Sequence, residues 1–300
     1  MFYPHSLKRV SSDRPTYFAP STISEASAIL SQNPDGAMII AGGTDLVAQM
    51  RAGIVHPGLL VDLKLLGLDE IEVDENIVSI GARVTHTAII ESKIIGERFP
   101  ALVAACRRVG ATPTRNRGTL GGNLANASPA ADSALPLLIY DASVVLAGLG
   151  GERIVPLSEF FKNYRLTALR PGEIIKEIRL PIPTDKTEAR FIKLGKRRAM
   201  VIAVVSVAIR LTVDESCKIQ IARIALGSVA PVPLLVKAAE GILENQALTN
   251  EIIAIVAQEA GRGISPISDI RASAEYRRNM VLVLVRRALT EISQNLQGAE

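Results

Sequence analysis

Cysteine is scarce in this sequence. Cys106 and Cys217 are its two cysteines, and they lie far apart and form no CxxC pattern. Iron–sulfur clusters and thiolate zinc sites are held by three or four closely organised ligands, most of them cysteines. The sequence therefore excludes a disulfide framework, and it excludes an iron–sulfur cluster or structural zinc ion held by three or four thiolates of this chain.

Histidine and aromatic residues are also few. The three histidines, His5, His56 and His86, form no HxxxH or HExxH pattern. Tryptophan is absent, and aromatic residues make up 4% of the chain. Nucleic-acid binders usually combine basic charge with stacking aromatics, so the net charge of +4 does not indicate a nucleic-acid partner. We predict that the arginine pairs lie on solvated helix faces or meet an anionic small ligand or protein partner.

Long hydrophobic runs are missing as well. No apolar run reaches the roughly 18 uncharged residues that a membrane-spanning helix needs. The first residues, MFYPHSLKRV, lack the apolar stretch and small-residue cleavage site of a signal peptide. We therefore predict a cytoplasmic protein without a membrane partner. With 300 residues, 48% of them apolar, the chain is long enough for two domains.

The hydrophobic patterning indicates an α+β fold. Strand-like runs such as AMIIA, LLVDLKLL and IVSIGARV alternate with helical segments early in the chain, and helical periodicity dominates residues 233–297. A boundary is predicted at Pro181-Ile182-Pro183-Thr184, because prolines remove backbone donors and stiffen an extended connection. We predict an N-terminal domain of residues 1–180 and a smaller α+β C-terminal domain of residues 181–300.

Two glycine pairs are each followed by polar residues. They lie in AGGTDL, from Ala41 to Leu46, and in TLGGNL, from Thr119 to Leu124. A glycine pair lets backbone N–H groups approach a phosphate closely, and a helix N-terminus beyond it adds a favourable dipole. Neither segment matches GxGxxG or GxxxxGK[ST], and a single pair is more often a tight turn. Together, the two segments predict a pair of loops that clasp a diphosphate from both sides.

These segments also carry a resemblance to a known family. The pair AGGTDL and GTLGGNLANASPAADSALPLL, with FFKNYR and FIKLGKRR downstream, closely resembles the FAD-binding subunit of molybdenum hydroxylases, which include xanthine dehydrogenase and aerobic carbon monoxide dehydrogenase. The start at Phe2, the central GSVAPVP and the late IRASAEYRR also look like that family, so the likeness covers nearly the whole chain. It implies a two-part FAD-binding domain of the vanillyl-alcohol-oxidase-like (PCMH-type) fold, with two α+β subdomains that divide near residue 57, plus the C-terminal domain.

The resemblance implies which residues bind noncovalent FAD. Those expected to wrap its diphosphate, chiefly through backbone N–H groups, are Ile39, Ile40, Ala41, Gly42, Gly43, Thr44, Asp45, Leu46, Thr119, Leu120, Gly121, Gly122 and Asn123. Asp132 matches an acidic FAD contact, and a carboxylate accepts hydroxyl donors of a ribose or ribityl chain; the alternative is a helix N-cap. Ile175 and Lys193 match positions close to the flavin, where an aliphatic side chain covers the ring and a cation favours the reduced anion. For Ile175 the alternative is core packing, and Val109 matches a further flavin neighbour.

The resemblance implies a function in electron transfer, with no catalytic residue and no metal site in this chain. A separate iron–sulfur small subunit would donate electrons, a large subunit with the molybdenum cofactor would hydroxylate the substrate, and FAD would pass the electrons to NAD or another acceptor. Relatives commonly carry an acidic residue where this chain has Val201, which leaves the acceptor open. Arg165, in FFKNYR, matches an arginine that we expect to clamp domains together. The alternatives are a self-contained FAD-dependent oxidase and a non-enzymatic nucleotide-binding or scaffold protein.

Overall fold

The structure is a computed structural model that describes residues 14–184, 186–197 and 200–298. Strands and helices are numbered below in chain order. Phe2, His5 and Arg198, which entered the sequence analysis, lie outside the described residues. Within those residues three main sheets follow one another, and each is covered by helices.

The first sheet consists of three short parallel strands. Its strands are β1 (Thr16–Phe18), β2 (Ala37–Ile40) and β3 (Leu59–Asp62), in the order β1-β3-β2. Helix α1 (Ile23–Gln32) precedes β2, and α2 (Leu46–Arg51) follows it. The apolar run AMIIA predicted a buried strand, but β2 is only half-buried. Because β3 pairs with both other strands, the first sheet extends past the predicted subdomain break near residue 57.

The second sheet has five antiparallel strands. In pairing order they are β4 (Ile71–Asp74), β5 (Ile77–Gly81), β10 (Ile174–Pro181), β6 (Ser143–Gly148) and β7 (Gly151–Pro156). The helices between β5 and β10 are α3 (His86–Glu91), α4 (Lys93–Arg98), α5 (Pro100–Arg107), α6 (Thr112–Arg115), α7 (Leu120–Ala125), α8 (Ala134–Ile139) and α9 (Leu157–Phe160). A hairpin of β8 (Phe161–Asn163) and β9 (Leu166–Thr167) follows α9. The sequence did not reveal that β10 returns to the middle of this sheet.

The third sheet has four antiparallel strands. They are β11 (Thr187–Leu194), β12 (Val205–Val213), β13 (Ile219–Gly227) and β14 (Leu234–Leu235). The helices after it are α10 (Lys237–Leu243), α11 (Asn250–Ala260) and α12 (Ala274–Gly298). β12 is buried along nearly its whole length, because α8 contacts it on one side and α12 on the other. Burial on both faces explains why its sequence is a continuous apolar run without alternation.

Three hydrophobic clusters hold these layers together. The smallest joins α1 to the first sheet. The second sheet and its helices form another, and it includes Ala208 and Ala225 of the third sheet. The opposite face of the third sheet, with Val207 and Ile224, packs on α10–α12. β10 ends at Pro181 and β11 starts a new sheet at Thr187, while the division into domains of residues 1–180 and 181–300 stays a prediction.

Candidate functional site

The first glycine segment forms the turn between β2 and α2, as predicted. Gly43 has a φ of +72°, in the left-handed region that residues with a Cβ rarely adopt. The N–H groups of Gly42, Gly43, Thr44 and Asp45 donate no backbone hydrogen bond to an acceptor in the described part of the chain. A run of open N–H groups in such a turn is a favourable environment for an anion.

The first glycine segment lies against Arg117 and Gly118, the two residues directly before the second segment. A Cβ added to Gly42 would stand 1.9 Å from the carbonyl oxygen of Arg117, and one added to Gly118 would stand 3.5 Å from Thr44 Oγ1. Real Cβ atoms do not approach a backbone oxygen as closely as 1.9 Å, so only glycine fits at position 42. The predicted pairing of the two segments in space is therefore present.

The second glycine pair lies inside a helix rather than in a loop. Thr119 is the N-cap of α7, and its Oγ1 accepts a hydrogen bond of 3.1 Å from the Gly122 N–H. The N–H groups after Thr119 already have acceptors: Leu120 donates to Val84 O, Gly121 to Ala82 O, Gly122 to Thr119 Oγ1 and Asn123 to Thr119 O. The expectation that this segment offers free backbone donors is wrong, because Thr119 starts the helix before the glycines.

His86 lies beneath the start of the second segment. The backbone N–H of His86 donates to Gly118 O at 3.0 Å, and Thr85 and Thr119 form an isolated antiparallel bridge beside it. The ring is buried, and its Nδ1 has no hydrogen-bond partner among the described residues. Burial, with a smaller contribution from the positive charge of Arg115, lowers the pKa of His86 to about 4. His86 is therefore a neutral, structural neighbour of the site at ordinary pH.

A cavity of about 290 Å³ opens between the two segments and β10. The predicted site residues that line it are Ile39, Ile40, Ala41, Gly42, Gly43, Asp45, Leu46, Gly121, Gly122 and Ile175. Ile175 is thus both a core residue, 5% exposed, and a wall of the cavity. The half-buried state of β2 follows from the same arrangement, because part of that strand faces the cavity. This volume lies at the lower end of small-molecule pockets, so it suits one part of a dinucleotide-sized ligand.

Some lining residues were missed by the sequence analysis, and some predicted residues do not line the cavity. The missed residues are Met38, Gln49, Leu63, Ala82, Ala125, Asn126, Leu169 and Ile174. Helical spacing from Gly122 would have found Ala125 and Asn126, since residues three and four positions apart share a face. The predicted residues outside this cavity are Thr44, Val109, Thr119, Leu120, Asn123, Asp132 and Lys193.

Three of those outlying residues form a second group. Lys193, in β11, donates to Asp132 Oδ2 at 2.5 Å and to the carbonyl oxygen of Arg108 at 3.1 Å. Arg108 directly precedes Val109 in the chain. The Lys193 and Asp132 side chains are 2% and 6% exposed. Asp132 is not a helix cap, because α8 has Ser133 as its N-cap residue and no side-chain cap bond. Instead, Asp132 anchors a buried ion pair between the segment before α8 and the third sheet.

The Asp132 carboxylate keeps one oxygen unused. Asp132 Oδ1 is buried and has no hydrogen-bond partner among the described residues. Burial raises the pKa of Asp132 to about 6, and the positive charges of Lys193 and Arg108 offset that rise only in part. Since a buried acceptor without a donor is costly, Oδ1 is an open position for a donor group of a ligand.

A second cavity, of about 490 Å³, is lined by the SPA turn, Tyr164-Arg165, Ile202-Ala203, the segment after β13 and residues between Ser265 and Arg277. Arg165, Arg271 and Arg277 line it. We expected Arg165 to clamp domains by an ion pair or carbonyl contact, but among the described residues its side chain donates only to Tyr164 Oη, at 3.3 Å. The contacts of Arg277 lie within the region after β10, because it donates to Val204 O, Ser228 O and Asp269 Oδ1.

Within residues 14–184, 186–197 and 200–298, no group of three or more His, Cys, Asp and Glu side chains is arranged to hold a metal ion. Cys106 is buried and Cys217 is exposed, and both are free thiols. None of the described helices combines the length and apolar character needed to cross a membrane.

Comparison with known families gives two matches that together cover most of the chain. Residues 9–183 match the model of the FAD binding domain in molybdopterin dehydrogenase. Residues 190–292 match the model of the CO dehydrogenase flavoprotein C-terminal domain. The first match alone spans more than half of the chain.

Individual proteins agree with these matches over nearly their full length. The chain is 33% identical over 276 residues to the 6-hydroxypseudooxynicotine dehydrogenase complex subunit alpha of Paenarthrobacter nicotinovorans, covering 92% of this chain and 93% of the relative. It is 33% identical to the nicotinate dehydrogenase FAD-subunit of Eubacterium barkeri, covering 94% and 97%. A chain of the carbon monoxide dehydrogenase of Hydrogenophaga pseudoflava superposes with a TM-score of 0.89 at 32% identity, covering 92% of this chain and 96% of that chain. The chain therefore belongs to the FAD-binding medium subunits of the molybdenum hydroxylase family, with an FAD-binding domain followed by the CO dehydrogenase flavoprotein C-terminal domain.

Proposed function

We propose that this chain is the electron-transfer subunit of a cytoplasmic molybdenum hydroxylase. A separate iron–sulfur small subunit donates electrons to it, and a large subunit hydroxylates the substrate at a molybdenum cofactor. This chain then passes the electrons to NAD or another acceptor. The designations of relatives as a complex subunit and an FAD-subunit support an assembly of several subunits.

The open donors of the first glycine segment carry the proposal for the FAD diphosphate. The N–H groups from Gly42 to Asp45 have no acceptor among the described residues, and the segment borders the first cavity. Phosphate oxygens accept such bonds readily. Because the N–H groups of the second segment are already bonded, we assign the diphosphate mainly to the first segment. Gly121 and Gly122 of the second segment would form the opposite wall. The cofactor would extend beyond this cavity to the side chains of Thr44, Thr119 and Asn123, which would add hydrogen bonds.

The group around Asp132 and Lys193 fits the flavin end of the cofactor. We propose that Asp132 Oδ1, which is buried without a partner, accepts a hydroxyl of the ribityl chain. Lys193 provides a buried positive charge beside it, while Val109 and Ile175 supply apolar surface. When bound, FAD supplies the redox chemistry, and the chain contributes binding and electrostatics.

We propose that FAD is bound without a covalent link. Covalent attachment to protein requires a nucleophilic side chain, such as histidine or cysteine, in contact with the cofactor. Neither residue type is among those that line the first cavity. His86, the nearest histidine to the second segment, is buried behind Gly118.

The second cavity is a candidate position for the electron acceptor. Its guanidinium groups at Arg165, Arg271 and Arg277 favour an anionic molecule. NAD carries a diphosphate and is one such acceptor.

The Arg165 side chain is the best probe, because it forms no ion pair among the described residues, whereas Arg271 and Arg277 are paired with Asp269. If this assignment holds, Arg165→Gln should raise the KM for NADH in a dye-reduction assay and leave the FAD content unchanged.

The same cavity weakens the oxidase alternative. A self-contained oxidase needs a base beside its substrate. Asp269, the carboxylate among the lining residues, is paired with both Arg271 and Arg277. Hydrogen bonds from the Arg271 and Ala272 N–H groups and from Arg277 outweigh burial and hold the pKa of Asp269 below its ordinary value. A carboxylate stabilised as an anion in this way is a poor proton acceptor.

Purification of the isolated chain tests the proposal. We expect a yellow protein whose flavin is released into the supernatant by acid precipitation. Its flavin should stay oxidised when purines, aldehydes, N-heterocycles or carbon monoxide are added anaerobically. At least one of these compounds should bleach the flavin of a complex co-purified with the iron–sulfur and molybdenum subunits. Rapid bleaching in the isolated chain would overturn the subunit assignment in favour of the oxidase, and a colourless chain that cannot bind added FAD would favour the scaffold protein.

A further inference from the structure

Four arginines are concentrated in one short stretch beside the proposed flavin site. Arg107, Arg108, Arg115 and Arg117 lie in RRVGATPTRNR, which contains no aspartate or glutamate. None of the four forms an ion pair with a described residue, although the positive charge of Arg108 acts on the buried Asp132. Unneutralised like charges repel one another and destabilise a compact fold. We call these four residues the arginine cluster.

The arginine cluster borders a polar cleft. Between α3 and α6 lies a cavity of about 590 Å³, lined in part by Arg107, Arg115, Thr87, Thr112 and Asn116. Hydroxyl, amide and guanidinium groups dominate these walls, and Glu91 is the carboxylate among the lining residues. Such a surface provides donors for carboxylates and does not provide a continuous apolar patch.

The cleft is linked to the proposed flavin site by hydrogen bonds. Arg115 donates from Nη1 to Val109 O at 3.2 Å and from Nη2 to Thr112 Oγ1 at 3.0 Å. The carbonyl oxygen of Arg108 accepts from Lys193 at 3.1 Å. A partner that occupies the cleft would therefore contact the same turn that carries Val109.

We propose that the arginine cluster and its cleft are the docking surface for an acidic face of the subunit that delivers electrons to this chain. The inference rests on the proposed function and adds the surface and its charge. Electron transfer is rapid only over short distances, so the donor must contact this chain close to the flavin. The arginine cluster flanks Val109 and leads into Thr119, both assigned to the FAD site. Carboxylates of the partner would neutralise its charge, which supports both rapid association and orientation.

The test compares two matched charge reversals in the complete complex. Arg107→Glu reverses the charge of one exposed arginine of the arginine cluster that lines the cleft. Arg286→Glu makes the same change on α12, where the side chain is also exposed and forms no ion pair with a described residue. Each variant is co-expressed with the iron–sulfur and molybdenum subunits. Association with each purified subunit is then measured between low and high salt, together with FAD content and thermal stability.

We expect the cluster variant to bind the iron–sulfur subunit at least about tenfold more weakly at low salt, with a flatter salt dependence, while the α12 variant matches the original chain. FAD content should be equal in all three. Equal affinity of the cluster variant, loss of FAD, or weakened binding of the molybdenum subunit alone would overturn the docking proposal. Arg107→Gln provides a milder second variant, and it must show an intermediate loss. If the original chain binds neither subunit at any salt concentration, the proposed function itself fails, which is a distinguishable result.

Discussion

At the residue scale, neighbouring atoms determine which glycines of the site can be replaced by a residue with a Cβ. Gly42 is required because the Arg117 carbonyl occupies the space of a Cβ. Gly121 is restricted in the same way, since its Cβ would stand 2.7 Å from Ala82. Gly122 is different, because its Cβ would meet only Thr119 Oγ1, at 2.8 Å. The two positions of the second pair therefore tolerate substitution unequally.

Gly42→Ala should separate the two glycine segments. The new Cβ must displace the Arg117 backbone, so we expect FAD affinity to fall by about tenfold or more, equivalent to about 1.4 kcal/mol. Gly36→Ala is the control, because no atom lies within 4 Å of its added Cβ. Titration of the apoprotein with FAD, followed by flavin fluorescence, measures both. Equal affinities in the two variants would contradict the contact.

His86 predicts a pH dependence of stability. Its pKa is about 4 in the folded chain, below the ordinary 6.5, so between these values the unfolded chain binds a proton that the folded chain does not. Stability from this group is therefore present above the ordinary pKa and is lost as the pH falls toward 4. The full effect is up to about 3 kcal/mol by linkage.

His86→Gln removes that dependence. Urea unfolding at pH 7, 6, 5 and 4.5 should show the original chain losing stability relative to the variant as the pH falls. The pKa of Asp132 is raised to about 6, so the stability that this group contributes is lost as the pH rises. That effect is present in both proteins and therefore cancels in the difference between their stabilities. A difference that stays constant with pH would refute the assignment.

At the element scale, the N-cap of α7 combines two tasks. Thr119 accepts from Gly122 N–H and is also assigned to the FAD site. Thr249 caps α11 in the same manner, accepting from Ile252 N–H at 3.3 Å, but it belongs to the helices that follow the third sheet and has no assigned place in the FAD site. Comparing substitutions of Thr119 and Thr249 therefore separates the effect of helix capping from the effect of cofactor binding.

Thr119→Ala and Thr249→Ala should each lower the free energy of unfolding by about 1 kcal/mol, the usual cost of a lost cap. Only Thr119→Ala should also weaken FAD binding, because the position of α7 and the Thr119 hydroxyl both change. Thermal unfolding of the apoproteins and FAD titration of the same samples provide the two readouts. If Thr249→Ala weakened FAD binding as much, the effect would belong to general stability.

At the scale of the whole molecule, the third sheet is joined to the second sheet and its helices by ion pairs as well as by apolar packing. Asp141, in the turn after α8, accepts from Arg210 of β12 at 2.7 Å and from Arg223 of β13 at 2.8 Å. Burial lowers the pKa of Arg210, and Asp141 opposes that change. Without Asp141 a nearly buried guanidinium would lack its counter-charge.

Asp141→Asn should destabilise the protein by about 2–3 kcal/mol, less than the removal of a partner from a fully buried pair, because the Asp141 side chain is 40% exposed. Glu259→Gln is the control, since it removes the exposed pair with Arg262 and should cost at most about 0.5 kcal/mol. Chemical denaturation followed by circular dichroism compares them. Similar losses in both variants would show that Asp141 does not join the layers.

Much of the fold followed from the sequence because its signals are local. Helix α12, the turn at Gly42-Gly43 and the strands β3 and β5 were predicted from periodicity and from glycine. β10 was missed, because its place between β5 and β6 depends on pairing with distant residues. The hydrogen bonding of the second glycine pair was also misjudged, since its acceptors at Ala82 and Val84 lie far back in the chain.

The sequence by itself determined the family, the α+β class and which residue types gather at the two glycine segments, because these depend on motifs and on the order of residues. Only the tertiary structure decided which N–H groups remain open, that Asp132 pairs with Lys193 rather than capping α8, and that the arginine cluster borders a cleft. Burial, contact and the partner of each polar atom are properties of residues brought together from distant parts of the chain, and no local pattern specifies them.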